Sequence, residues 1–327
     1  MKVGAGSILN RFKAKIRRDV IFSEDILANY ILECEKAGYE KEVEEISAEW
    51  MNMIIENLFP HTVRKLPMPI LSPIAKKIWT NIGLLDDFHV RKDKDIAVVE
   101  TKNECITRLI GKNRFMPGLF CGILNVICEA PMVAAEVNQT KTRCKYVYKL
   151  LDEPWDPPVT KGKDKYNYLN SMPDYRGLAL KDAFKSKILK LKSNNRVYFR
   201  EKPLIIIENT LFHIISNRGI LLDTVPSISF NYFREVIKIE TKKWEKLNLL
   251  KNILHFTGWG IAKIAIKANG NVLIKIKYQP YGFQTEKDSW NFLFKIIEGY
   301  LHLLDKRFRI VSINESFKNI EATFSSN

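Results

Sequence analysis

The apolar positions along the chain run through one succession of spacings and then run through it again. Ile26, Leu27, Tyr30, Ile31 and Cys34 recur at three- and four-residue intervals. They predict a helix opening at Ser23, whose hydroxyl suits an N-cap, with Glu24 and Asp25 in the first turn. Gly38 interrupts this pattern, and Val43, Ile46, Trp50, Met53, Ile54 and Leu58 restart it over 39–59. Pro67, Pro69 and Pro73 predict a loop before a short helix over 74–82. The β-branched run 96–101 (IAVVET) then predicts a strand. Phe115, Leu119, Phe120, Ile123, Leu124 and Ile127 predict a helix over 114–128, with Pro117 tolerated in its first turn. Two strands follow, over 132–137 and 144–150.

The segment 153–164 (EPWDPPVTKGKD) is dense in Pro, Gly and charge and reads as a linker. The expected domains are therefore 1–152 and 166–327, joined by 153–165. In the second, helices are expected over 180–191, 204–216 and 227–254. Strands 261–268 and 272–278 are joined at Ala268-Asn269-Gly270-Asn271, and Asn-Gly between apolar runs is a strong hairpin signal. A helix over 289–304 carries Trp290, Leu293, Phe294, Ile297, Tyr300, Leu301 and Leu304 on one face, ahead of strands 308–313 and 320–324.

Ile96 over Val272, Gly122 over Gly299 and Val133 over Val311 give offsets of 176, 177 and 178 residues. A strand, a helix with a central Gly and two short strands thus recur in one order. The expected class is α+β, as two tandem domains with helices packed on one face of a small antiparallel sheet. Gly costs about 1 kcal/mol against Ala inside a helix, so each needs a packing reason. Gly118, four residues before Gly122, makes a flat strip. Either a packed element fills that strip, or it leaves a slot for a flat or elongated ligand.

Length agrees with two domains of roughly 150 residues each. The chain has 327 residues, 46% apolar and 27% charged, and needs no metal or disulfide to build cores. Its net charge of +15 is spread along the sequence and densest over 181–202. Few aromatic residues interleave there, which favours a solvated face over a nucleic-acid footprint. All five cysteines (Cys34, Cys105, Cys121, Cys128, Cys144) fall in the first half without a CxxC, which suggests reduced thiols and a cytoplasmic protein. The N-terminus lacks a signal-peptide apolar run, and the longest uncharged apolar stretch, 118–128, is about half a membrane span. No P-loop, dinucleotide GxGxxG, GxSxG or HExxH occurs, and the five histidines are scattered without a CxxCH. An enzyme is disfavoured.

The stretch GLFCGILNVICEAPMVAAEVNQTKTRCKYVY resembles the four-vinyl-reductase domain, whose tail is a Gly-bearing helix, a strand ending in Glu and a Cys–aromatic strand. Gly122, Glu136, Cys144 and Tyr146 hold those places, and WNFLFKIIEGYLHLLDKRFRIVSINES repeats the pattern with Gly299 and Glu315 but no cysteine. The resemblance implies a fold shared with haem–nitric-oxide-binding domains and TRAPP transport-particle subunits. It also implies a small hydrophobic ligand held between helices and sheet, and self-association or a protein partner. Zinc, held in some members by a helix Cys, the Glu and following Cys, would fall to Cys121 or Cys128 with Glu136 and Cys144, three ligands where structural zinc wants four; buried thiols are the alternative, and no cofactor is the expectation.

The expected ligand-binding residues are Trp79, Phe115, Leu119, Phe120 and Ile123 in the first half and Trp259, Trp290, Phe294, Ile297 and Tyr300 in the second. Such stripes fill cores more often than ligand sites. The leading expectation is a non-catalytic tandem binder or sensor of a small hydrophobic molecule. The alternatives are a scaffolding subunit of a larger assembly and, from charge alone, a nucleic-acid-associated protein. Because only the first half keeps cysteines, a half that had become purely structural is expected to be the second.

Overall fold

The computed structural model describes residues 19–58, 61–155, 179–192, 196–237, 241–280, 288–316 and 319–326. Most of the expected linker, from 156 onward, lies outside them. The chain is α+β and forms two compact units. Among the described residues, the first holds 27–155 with 192 and 196, and the second holds 19–26, 179–191 and 197–326.

The first unit is built from helices α1 (Glu24–Lys36, which enters it at Leu27), α2 (Glu40–Leu58), α3 (Met68–Asn81) and α4 (Phe115–Cys128) and strands β2 (Asp87–Asp93), β3 (Ile96–Lys102), β4 (Met132–Gln139) and β5 (Arg143–Leu150). The Ser23 hydroxyl accepts the Ile26 amide at 3.2 Å, so the expected N-cap is made. Gly38 takes φ +88° at the expected break. α3 begins six residues before the expected helix. Pro67 stands at its N-cap and Pro69 in its first turn, where a missing amide hydrogen costs nothing. β2 (DFHVRKD) was not expected, because its outward positions are charged and its apolar signal rests on Phe88 and Val90.

In the second unit, β1 (Asp19–Ser23), β6 (Leu189–Leu191), β7 (Val197–Phe199) and β8 (Lys202–Glu208) form an antiparallel sheet in the order β1-β8-β7-β6. Then come helices α5 (Thr210–Arg218), α6 (Val225–Val236), α7 (Lys243–Phe256) and α8 (Asn291–Leu301), with strands β9 (Ile261–Ile266), β10 (Val272–Lys277), β11 (Arg309–Ser316) and β12 (Asn319–Ser325). Three expected helices are corrected. The one over 180–191 stops at Lys185. The one over 204–216 begins only at Thr210, because Leu204–Glu208 is a buried strand; a short apolar run fits either state. The one over 227–254 is two helices. In the β9–β10 hairpin only Gly270, at φ +82°, takes positive φ, while Asn269 does not.

The two units repeat one topology. The sheets run β2-β3-β5-β4 and β9-β10-β12-β11, all antiparallel. Elements α1-α2-α3-β2-β3-α4-β4-β5 recur as α5-α6-α7-β9-β10-α8-β11-β12. Each sheet carries a register shift at the same place, between Ala134 and Glu136 and between Ile310 and Ser312. α4 packs on α2 and β4 as α8 packs on α6 and β11, and α3 meets β2 as α7 meets β9. Among the described residues, no helix is long and apolar enough to cross a membrane.

Candidate functional site

The glycine strip is filled by a neighbouring helix. A Cβ on Gly118 would stand 2.2 Å from the Glu44 carbonyl oxygen, and one on Gly122 2.3 Å from that of Ala48. Gly299 meets α6 in the same way, at 2.2 Å from the Pro226 carbonyl oxygen. The slot considered for a flat ligand is therefore taken up by α2 in one unit and α6 in the other.

Space lies instead on the other side of these helices. In the second unit a cavity of about 60 Å³ is bounded by β1, α6, α7 and α8, with Phe22, Leu254 and Leu293 among its apolar walls. Tyr300 lines it too, its hydroxyl spent on the Lys246 carbonyl at 2.6 Å. The Thr257 hydroxyl is likewise spent, on the Ile253 carbonyl at 2.5 Å. Tyr232 is different. It is 6% exposed, and its hydroxyl lies beside Ser23 without a hydrogen bond of ordinary geometry. In the first unit the corresponding space is a gap of about 30 Å³ between α3, α4 and its sheet.

Of the expected ligand-binding residues, Trp79, Phe120 and Ile123 line that gap, and Trp259, Ile297 and Tyr300 line the cavity. The rest are core. Phe115 packs against Trp50 with ring centroids 6.2 Å apart, and Leu119 is fully buried. Phe294 packs on Phe324, and Trp290 is buried at the start of α8. Sequence reasoning missed Ile21 and Phe22 of β1 and Tyr232 of α6, although the run VIF at 20–22 is a strand signal.

The candidate zinc ligands do not assemble. Among the described residues no group of three or more His, Cys, Asp or Glu side chains is placed to hold a metal. The Cys121 thiol donates to the Met132 carbonyl at 2.9 Å, the Cys144 thiol contacts the Thr140 carbonyl at 3.4 Å, and Glu136 is exposed at the strand irregularity. Burial pushes the Cys121 and Cys144 thiols up to about 12, which leaves them neutral at physiological pH.

The first unit also buries a carboxylate. Glu104 is fully inaccessible and accepts hydrogen bonds from the hydroxyls of Thr101, Thr107 (2.5 Å) and Tyr146 (2.8 Å). Gln139 donates to the Tyr146 hydroxyl at 3.0 Å and accepts the Asn113 amide at 3.0 Å. This network ties the ends of β3, β4 and β5 to the loop before α4.

Comparison with protein-family models and with curated protein sequences gives no match.

Proposed function

We propose that the protein binds, without catalysis of its own, a small apolar molecule in the cavity of the second unit. The observation that carries this reading is an apolar cavity with the phenol of Tyr232, a neighbour of Ser23, in its wall. A ligand with a hydrocarbon body and one acceptor oxygen fills the space and offers the Tyr232 hydroxyl an acceptor. The volume limits size: about 60 Å³ is well below the roughly 150 Å³ that admits benzene, so a lipid or porphyrin requires the walls to move. The resemblance to four-vinyl-reductase domains supports a site between helices and sheet. This reading puts the apolar site in the second unit, the half expected from cysteine content to be the structural one if either were.

Thermal unfolding of the full chain with rising 2-butanone, a small ketone, tests the reading, since a ligand that binds only the folded state raises the melting temperature. A saturable rise is expected. It should shrink in Tyr232→Phe, which keeps the cavity but not the donor, and vanish in Ile297→Phe, which fills it. Failure of the wild type to respond to both 2-butanone and xenon would sink the proposal.

A further inference from the structure

At one end of the first unit's sheet, an open cleft of about 610 Å³ is rimmed by Lys102, Lys112, Arg143 and Lys145, with His89 alongside. β3 and β5 bring three of these together. Lys102 stands directly across from Arg143 in the register, and Lys145 lies two residues further along β5 on the same face. Like charges placed directly opposite each other destabilise a sheet, so the arrangement calls for anions.

The carboxylates nearby do not supply enough. Asp87 is shared among Lys76 at 2.6 Å, Lys102 at 3.1 Å and His89 at 3.4 Å. Glu100, directly across from Lys145, is instead paired with Arg91 at 3.3 Å. Lys112, Arg143 and Lys145 have no ion pair among the described residues.

The wall carrying Arg143 is held in place. The Thr140 hydroxyl donates to the Arg143 carbonyl at 2.7 Å and accepts the Arg143 amide at 3.0 Å, and the Thr140 amide donates back to that carbonyl at 3.0 Å. The turn between β4 and β5 therefore presents its guanidinium from a fixed backbone.

We propose that this cleft binds a small molecule carrying two or more phosphate groups. Its volume falls within the roughly 300–1,000 Å³ of small-molecule sites. Three unpaired cations and a fourth shared one exceed the charge of the two carboxylates in the lining, Asp87 and Glu100, which are themselves already paired, and guanidinium and ammonium groups suit phosphate oxygens. Single-stranded nucleic acid is the poorer fit, because among the described residues no Phe, Tyr or Trp lines the cleft to stack a base.

Isothermal titration of the full chain with pyrophosphate at fixed ionic strength is the test. Saturable single-site binding is expected, at least roughly tenfold tighter than orthophosphate, which engages fewer of the cations. Arg143→Ala with Lys145→Ala should weaken it by at least about tenfold, while Lys145→Arg, which keeps the charge, should stay within about threefold of wild type. Lys181→Ala with Lys185→Ala, in the densest basic stretch, should leave it unchanged. Melting curves identify any variant that fails to fold, and for such a variant Lys145→Glu alone replaces the pair. Three results overturn the proposal: no heat with pyrophosphate, equal losses in the Lys181 and Lys185 control, or an oligonucleotide that binds through Arg143 and Lys145 where pyrophosphate does not.

Discussion

Gly299 of α8 lies so close to Pro226 of α6 that a Cβ on the glycine would stand 2.2 Å from the proline carbonyl oxygen, and Gly122 meets Ala48 at 2.3 Å in the other unit. In both places two helix backbones touch, and at Gly299 the Ser229 side chain lies against the glycine as well, its hydroxyl donating to the Ile296 carbonyl at 2.7 Å. Ala at either glycine must push the helices apart, which costs roughly 1–3 kcal/mol as overpacking. That outweighs the roughly 1 kcal/mol Ala gains in helix propensity. Gly299→Ala and Gly122→Ala should each lower the urea midpoint; an unchanged midpoint would show that the helices separate freely.

The cavity makes a separate prediction. Ile297→Ala removes wall from a space of about 60 Å³. It should destabilise the protein by roughly 2–5 kcal/mol. Benzene should recover part of that loss in the variant and do nothing for wild type, as read from melting temperatures.

Glu104 needs acceptors on both carboxylate oxygens, because Thr101, Thr107 and Tyr146 all donate to it. Glu104→Gln replaces one acceptor with an NH2 group that turns its hydrogens on those donors. A loss of roughly 1–3 kcal/mol in chemical denaturation is expected. Tyr146→Phe removes a donor and should cost less.

Burial should order the reactivity of the thiols. Cys105 is inaccessible, and burial pushes Cys34 up to about 11 and Cys121 and Cys144 up to about 12. Cys128 is half-buried. At pH 8, the Ellman reagent should label Cys128 first and the other four only after denaturation. Rapid labelling of Cys121 in the folded protein would contradict the packing of α4.

Asp87 sets an acid limit. Burial raises its carboxyl, but hydrogen bonds from Lys76 and Lys102 outweigh that and hold it at about 2, below its ordinary 3.8. A carboxylate with a depressed folded pKa stabilises above its unfolded value and loses that contribution as pH falls through the folded one. The loss should therefore fall between about pH 4 and pH 2. Lys76 and Lys102 are 42% and 51% exposed, so screening reduces the contribution to about 1 kcal/mol. Asp87→Asn should flatten the stability curve in that window and leave it unchanged below pH 2.

By itself the sequence determined the elements whose periodicity is unambiguous. These are α4 with its Gly118–Gly122 strip, α8 with Gly299, the Asn-Gly hairpin, and the repeated order of strand, helix and two strands. Long amphipathic helices and alternating strands write their buried face into local spacing. The tertiary structure decided what local spacing does not contain. β1 finds its partner β8 through Asp19↔Glu208, across most of the chain, and that pairing turned Leu204–Glu208 from an expected helix into a strand. Only packing decided that the glycines meet helices rather than a ligand, and that Tyr232 faces the residual space. It also drew Lys102, Arg143 and Lys145 together, since a cavity or a charge cluster forms where residues distant in sequence are brought side by side.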